Sequence, residues 1–174
     1  MIAIIAEKPS VGQEIARVVG ATEKKDGYIT GNGYMVTWAL GHLVSLALPG
    51  TYGYTRTTAE DLPMLPEPFR LVERQIRTDR GMVTDIAAGK QLKIIDEVFS
   101  KCDSIIVATD AGREGELIFR WIYSHLGCTK PFKRLWISSL TDEAIRKGMA
   151  DLREGHEYDS LLSLIHISEP TRRR

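Results

Sequence analysis

The sequence predicts an α/β domain with a central, mostly parallel sheet flanked by helices. Three observations carry this. Ile2–Ala6 and Ser104–Ala108 are short, continuous, largely β-branched apolar runs, the pattern of strands buried on both faces. Each is followed by a turn and then by an amphipathic helical stripe. The chain alternates strand, helix, hairpin, helix, strand, helix, strand, helix, which favours helices laid on the faces of a parallel sheet.

The elements follow in order. Glu7-Lys8-Pro9 ends the first strand. Ser10 and Gln13 have capping-box spacing, and Ile15, Val18 and Val19 supply the stripe of a first helix. Residues 28–30 and 34–40 flank Gly31-Asn32-Gly33 and read as a β-hairpin with a glycine-rich turn. Gly41-His42-Leu43 follows at a strand end. Residues 49–70 hold Pro49, Pro63, Pro66 and Pro68, which predicts an irregular connection. Residues 86–99 read as a helix with Leu92, Ile95, Val98 and Phe99 on its buried face. After the strand Ser104–Ala108, residues 110–112 turn and residues 114–126 are helical. Leu135-Trp136-Ile137 reads as a short strand. Thr141-Asp142-Glu143 opens a last helix, with a hydroxyl cap and acids in its first turn.

Composition sets the outer limits. The 174 residues suit one domain, and 43% hydrophobic with 26% charged content suits an ordinary core. No apolar run approaches the roughly 20 residues that span a bilayer. Residues 1–6 are too short, and too soon followed by charge, for a signal peptide. Cys102 and Cys128 stand apart from each other and from any Cys/His cluster, which argues against a zinc site or disulfide framework and for a reducing cytoplasm. The formal net charge is zero, so bulk composition carries no nucleic-acid footprint.

Residues 162–174 are expected to be foreign to the domain. Leu162 to Arg174 resembles the in-frame translation of a sequencing-library adapter, which places the domain at residues 1–161. Without the three arginines and one glutamate of that tail, 20 basic and 22 acidic residues remain. Arg172-Arg173-Arg174 is therefore set aside as a nucleic-acid patch.

The chemistry gathers at two strand ends. Asp110-Ala111-Gly112-Arg113-Glu114-Gly115-Glu116 packs three acids and one arginine into seven residues where a strand turns into a helix. Carboxylates at such a turn suit Mg²⁺, which takes a few of them together with waters and a phosphate. The helix N-terminus offers N–H groups to a phosphate, and Arg113 adds a charged contact. Acids in a first turn also serve the helix dipole alone, and Glu116 fits that reading equally well. Glu7-Lys8 ends the other strand. In parallel sheets, sites form beyond the carboxyl ends of the strands, so Glu7 and Asp110 converge if their strands are neighbours. A glutamate near other carboxylates holds its proton more tightly, which suits acid/base work. His42 is either a satisfied strand-end histidine or a phosphate contact. Lys8, Arg56, Arg113 and Lys133-Arg134 are candidates for a local basic path.

Ala6-Glu7-Lys8-Pro9-Ser10, Gly41-His42-Leu43, Asp61-Leu62-Pro63 and Ala108-Thr109-Asp110-Ala111-Gly112-Arg113-Glu114-Gly115-Glu116, in this order and spacing, resemble the N-terminal Toprim domain of type IA DNA topoisomerases, the bacterial topoisomerase III branch above all. The resemblance covers residues 1 to about 160. It implies a compact α/β domain. It makes Glu7 the catalytic glutamate that shuttles a proton at the DNA 3′-oxygen. Asp110 and Glu114 become the outer acids of an Asp-x-Asp-x-Glu metal motif for Mg²⁺, with Glu7 beside them. Lys8 is a lysine near the scissile phosphate and Arg113 the arginine of the same motif, so Lys8, His42, Arg56 and Arg113 form the expected DNA-contacting set. The implied activity is ATP-independent cleavage of one DNA strand through a tyrosine, strand passage and resealing. The implied partner is single-stranded DNA within a duplex, and the implied location is the cytoplasm, at the nucleoid.

Two departures bear on this. Gly112 stands where the motif has its middle acid, so one metal ligand is lacking, with Glu7 and Glu116 as possible substitutes. The family's nucleophilic tyrosine lies in a later domain, and Tyr28, Tyr34, Tyr52, Tyr54, Tyr123 and Tyr158 match no such position. The chain alone is therefore expected not to cleave DNA. Two other readings remain open. One is a stand-alone Toprim nuclease or primase-like module, which would dispense with the tyrosine. The other is a nucleotide-binding module, against which stands the lack of a Gly-x-Gly-x-x-Gly loop after a strand.

Overall fold

A computed structural model describes residues 1–54, 68–79 and 81–161. Arg56, Asp61-Leu62-Pro63 and residues 162–174 lie outside the described residues.

The first strand, β1 (Ile2–Ala6), sits in the middle of the sheet. Its residues Ala3 to Ala6 are fully buried, as an apolar run without alternation requires. Helix α1 (Pro9–Val19) follows directly. Lys8 is its N-cap residue, and Pro9 takes the first helical position, where its missing N–H costs nothing. The expected capping box does not form: Ser10 lies inside the helix, because proline starts it one residue earlier.

A three-stranded meander comes next: β2 (Glu23–Lys25), β3 (Tyr28–Gly31) and β4 (Tyr34–Trp38). Asn32 and Gly33 both have positive φ, 48° and 82°, and form the two-residue turn whose twist suits a hairpin. Further on, β5 (Val44–Leu46) pairs with β6 (Leu71–Glu73), and β7 (Gln75–Thr78) pairs with β8 (Gly81–Thr84), both antiparallel. Short 3₁₀ turns lie at Pro49–Tyr52 and Gly155–Tyr158. The rest is α2 (Ile86–Lys101), β9 (Ser104–Ala108), α3 (Arg113–His125), β10 (Phe132–Arg134), α4 (Asp142–Ala150) and β11 (Arg153–Glu154).

The main sheet has seven strands in the order β11-β10-β9-β1-β4-β3-β2. The four central strands β10, β9, β1 and β4 run parallel, and antiparallel strands finish both edges. The last central strand is displaced from its expected place. It is Phe132–Arg134, not Leu135 to Ile137, because an arginine that looks solvent-bound in the sequence is the buried strand residue.

Each face of the sheet carries its own core. Ala3, Ile5, Met35, Ile105 and Val107 meet α2 and α3 through Leu92, Ile95, Phe99, Ile118, Phe119 and Ile122. Ile4, Val36, Ile106 and Ala108 meet α1 and α4 through Ile15, Ala16 and Ile145. The helix after β1 thus covers one face and the helix after β9 the other. Two adjacent parallel strands whose helices leave to opposite faces open a crevice beyond their carboxyl ends, the usual place for a site in an α/β sheet.

Candidate functional site at the carboxyl ends of the central strands

Three strands deliver residues to that crevice. The register pairs Ala6 with Ala108 and Ala6 with Trp38. Glu7 and Lys8 therefore leave β1 beside Thr109 and Asp110, which leave β9, while Gly41 and His42 follow β4. The convergence expected of Glu7 and Asp110 is met, because their strands are neighbours.

Lys8 stands between the two carboxylates. Its Nζ lies 3.9 Å from Glu7 Oε1 and 3.8 Å from Asp110 Oδ2. Glu7 is largely covered, with 13% of its side chain exposed, whereas Asp110 is 59% exposed. One acid is thus shielded and the other open to water, with one ammonium shared between them.

Helix α3 starts directly over this cluster. Its first turn carries exposed Arg113 and Glu114. Glu114 Oε2 lies 3.2 Å from His42 Nε2, and the His42 ring meets Trp121 edge-on at 5.8 Å between centroids. His42 is thereby tied to the acidic turn rather than simply closing its own strand. Its backbone is held from behind by Arg74, a residue the sequence did not mark. Arg74 Nη1 donates to Leu40 O at 2.9 Å and His42 O at 3.3 Å, and its Nε donates to Asp85 Oδ2 at 2.9 Å.

Gly115 explains how α3 sits so close. A Cβ built there would lie 2.0 Å from the Asp110 carbonyl oxygen, so glycine is required for the helix to press onto the turn. The Thr109 hydroxyl donates to Gly115 O at 2.7 Å and locks the contact.

Two expectations are corrected here. Glu116 is not a spare ligand: it is 1% exposed and faces inward onto Arg120 and Arg134. Arg134 is also 1% exposed, so it cannot form part of a surface path for DNA, and the same burial pushes its guanidinium below the usual arginine pKa. Lys133 is exposed but paired with Glu154 at 2.9 Å. Lys8 follows β1 and Arg113 opens α3, so both stand at the crevice end of the sheet. Nothing in the sequence pattern separated Arg134 from Lys133; only the strand register does.

Among the described residues, no group of three or more His, Cys, Asp or Glu side chains is arranged to hold a metal ion. Glu7 and Asp110 share Lys8, and Glu114 is turned to His42. Among the tyrosines, the Tyr123 hydroxyl donates to Lys130 O, Tyr52 Oη accepts from Arg70 N, and Tyr158 is buried against Trp136. Tyr34 opens β4 at the opposite end of the sheet. Among the described residues, no helix is long and apolar enough to cross a membrane.

The chain is similar to known proteins over nearly all of the described fold. It is 47% identical over 162 residues to DNA topoisomerase 3 of Bacillus subtilis (strain 168). It is 50% identical over 163 residues to DNA topoisomerase 3 of Bacillus anthracis. Both matches cover 91% of this chain and 21% of the relative, so the chain spans about a fifth of the length of the proteins it matches. The solved structure of full-length topoisomerase I from Thermotoga maritima superposes on 87% of the chain with a TM-score of 0.53, at 20% identity, a likeness of fold. The family model described as the Toprim domain matches residues 2–140. That span begins with β1 and runs through the β9 turn and α3 to the residues just after β10, most of the chain and all of the crevice, and the chain accordingly belongs to the Toprim domain family.

Proposed function

We propose that this chain is the acid/base and metal-holding part of a type IA topoisomerase of the topoisomerase 3 kind. Such an enzyme performs Mg²⁺-dependent, ATP-independent cleavage of one DNA strand, strand passage and resealing. The observation that carries this is Lys8 held between Glu7 and Asp110 at adjacent parallel strand ends, in a chain 47–50% identical to DNA topoisomerase 3 proteins.

The chemistry follows from the placement. Glu7 is the shielded carboxyl group, suited to hold and return a proton at the DNA 3′-oxygen. Lys8 is the cation nearest to both acids, suited to a phosphate oxygen of the strand being cut. Arg113 and the N-terminus of α3 add positive charge on the same side.

Hard oxygen donors at Asp110 and Glu114, both more than half exposed, fit a divalent ion of the Mg²⁺ type. Such an ion commonly uses one or two carboxylates with waters and substrate phosphates, so a preformed three-ligand cage is not required. When bound, it would supply charge neutralisation at the phosphate. On this reading residues 1–161 form the working unit, the nucleophilic tyrosine belongs to further domains, and the enzyme works on the chromosome in the cytoplasm.

A chimera tests the reading. Residues 1–161 replace the matching fifth of Bacillus subtilis DNA topoisomerase 3, and relaxation of negatively supercoiled plasmid is followed with Mg²⁺ and without ATP. Relaxation that disappears with Glu7→Ala is expected. An inactive but folded chimera overturns the proposal. The 174-residue chain alone should form no 5′-phosphotyrosyl adduct. Mg²⁺-dependent hydrolysis leaving free ends would instead favour the nuclease alternative.

A further inference from the structure

Behind the Asp110 turn lies a buried ionic network that does not open onto the crevice. Glu116 and Arg134 are each 1% exposed. Arg134 Nη1 donates to Thr109 Oγ1 at 2.8 Å and to Val107 O at 3.2 Å, and Nη2 donates to Asp110 O at 2.8 Å. Its Nε faces Glu116 Oε2 at 3.3 Å, and neither of these two atoms makes a hydrogen bond. Glu116 Oε1 accepts from Arg120 Nε at 2.7 Å, and Arg120 Nη2 reaches Gly155 O and Asp159 Oδ1.

A buried ion pair is a poor stabiliser. Its desolvation consumes most of its attraction, and apolar residues of similar size often do as well. The imperfect contact between Nε and Oε2 makes stability a still weaker explanation. What the pair does that an apolar pair cannot do is place a forked, planar donor on successive acceptors of the chain leaving β9. Those acceptors belong to Val107, Thr109 and Asp110. Glu116 sets its charge against the guanidinium from the far side, and Arg120 ties Glu116 to the 3₁₀ turn at Gly155–Tyr158.

We propose that Arg134, oriented by Glu116, is a positioning residue. It holds the backbone of residues 107–110 so that the Asp110 carboxylate and the first turn of α3 keep the geometry a divalent cation needs. The functional half rests on the metal reading above; the bracing itself rests on the hydrogen bonds alone. Arg134 acts through Asp110 and touches no substrate.

The test uses the full 174-residue chain with two readouts. Arg134→Lys keeps a positive charge opposite Glu116 but loses the fork. Amide hydrogen exchange over residues 109–116 is compared with that of β1 and β4, and Mn²⁺ affinity is measured by electron paramagnetic resonance. The expected result is exchange tenfold or more faster in residues 109–116, unchanged exchange in β1 and β4, and Mn²⁺ affinity lowered at least fivefold. Unchanged exchange at the turn, or an equal rise across the sheet, overturns the proposal. So does unchanged Mn²⁺ affinity in a variant whose turn has loosened. If Arg134→Lys fails to fold, Thr109→Val carries the same expectations and the same refutations, since it removes one acceptor of Arg134 and the donor to Gly115 O while keeping the side-chain shape. If the parent chain binds no Mn²⁺ while the turn loosens locally as expected, the metal reading falls and the brace stands.

Discussion

Two glycines three residues apart play opposite parts in the acidic turn. At Gly115 a methyl group would meet the Asp110 carbonyl oxygen at 2.0 Å, and backbone cannot step aside as a side-chain tip can. Gly115→Ala should therefore destabilise the domain by about 3 kcal/mol or more, at the upper end of overpacking costs, as read from urea unfolding. Gly112 is the reverse case. Its φ of 172° is open to any residue, and an added Cβ meets nothing within 4 Å. It is also the N-cap position of α3, which has no side-chain cap. Gly112→Asp should leave the fold intact and gain a few tenths of a kcal/mol as a cap. It should also raise Mn²⁺ affinity severalfold by restoring a third carboxylate to the turn; unchanged affinity would mean that residue 112 does not face the cation. The sequence showed that Gly112 departs from the motif. It could not show that Gly115 is the indispensable glycine, because that depends on an approach of helix to turn that no local pattern records.

At the scale of elements, the caps decide which boundaries are readable. Thr141 was legible as the cap of α4, and its hydroxyl accepts from Ala144 N as that residue type predicts. Ser10 looked like a cap and is not one, because Pro9 starts the helix ahead of it. Strand β10 was missed by three residues, since its inward side chain is an arginine whose hydrogen-bond partners lie on β9 and in the turn after it, with Glu116 of α3 opposite. Asp85 shows how one cap joins two elements to the site. It accepts from Ala87 N and Ala88 N at the start of α2 and pairs with Arg74, which holds the His42 loop. The Arg74 hydrogen bond, helped by those amides, holds the Asp85 carboxyl below its usual pKa. A depressed carboxylate pKa stabilises the fold above the ordinary value near 4 and ceases to do so as pH falls through the depressed value. Asp85→Ala should lower the melting temperature by several degrees at pH 7. The gap between parent and variant should narrow steadily below about pH 4. A gap that stays constant down to pH 2 would show that the Asp85 charge contributes nothing.

For the whole molecule, the parallel core and the two-sided packing were legible from the continuous apolar runs, but the strand order was not. The neighbours of β1 are β4, about 30 residues away, and β9, about 100 residues away, and no local pattern encodes that pairing. Yet the order decides everything electrostatic at the crevice, since it alone brings Lys8 beside Asp110. A chain with no net charge has no long-range pull on a polyanion, so any grip on single-stranded DNA must come from cations at the crevice. With Arg134 buried and Lys133 paired to Glu154, the cations left for this role are Lys8 at the end of β1 and Arg113 in the first turn of α3. On the proposed function, two phosphate contacts predict a slope of log affinity against log salt near about −1.4 for a single strand. Lys8→Ala and Arg113→Ala should each flatten that slope by about 0.7, whereas Lys133→Ala should leave it unchanged. Fluorescence anisotropy of a labelled oligonucleotide, titrated across a salt series, reads all four slopes. A steep slope that survives both alanine variants would place the contact outside the crevice, and equal flattening by Lys133→Ala would restore the wider basic path that the sequence suggested.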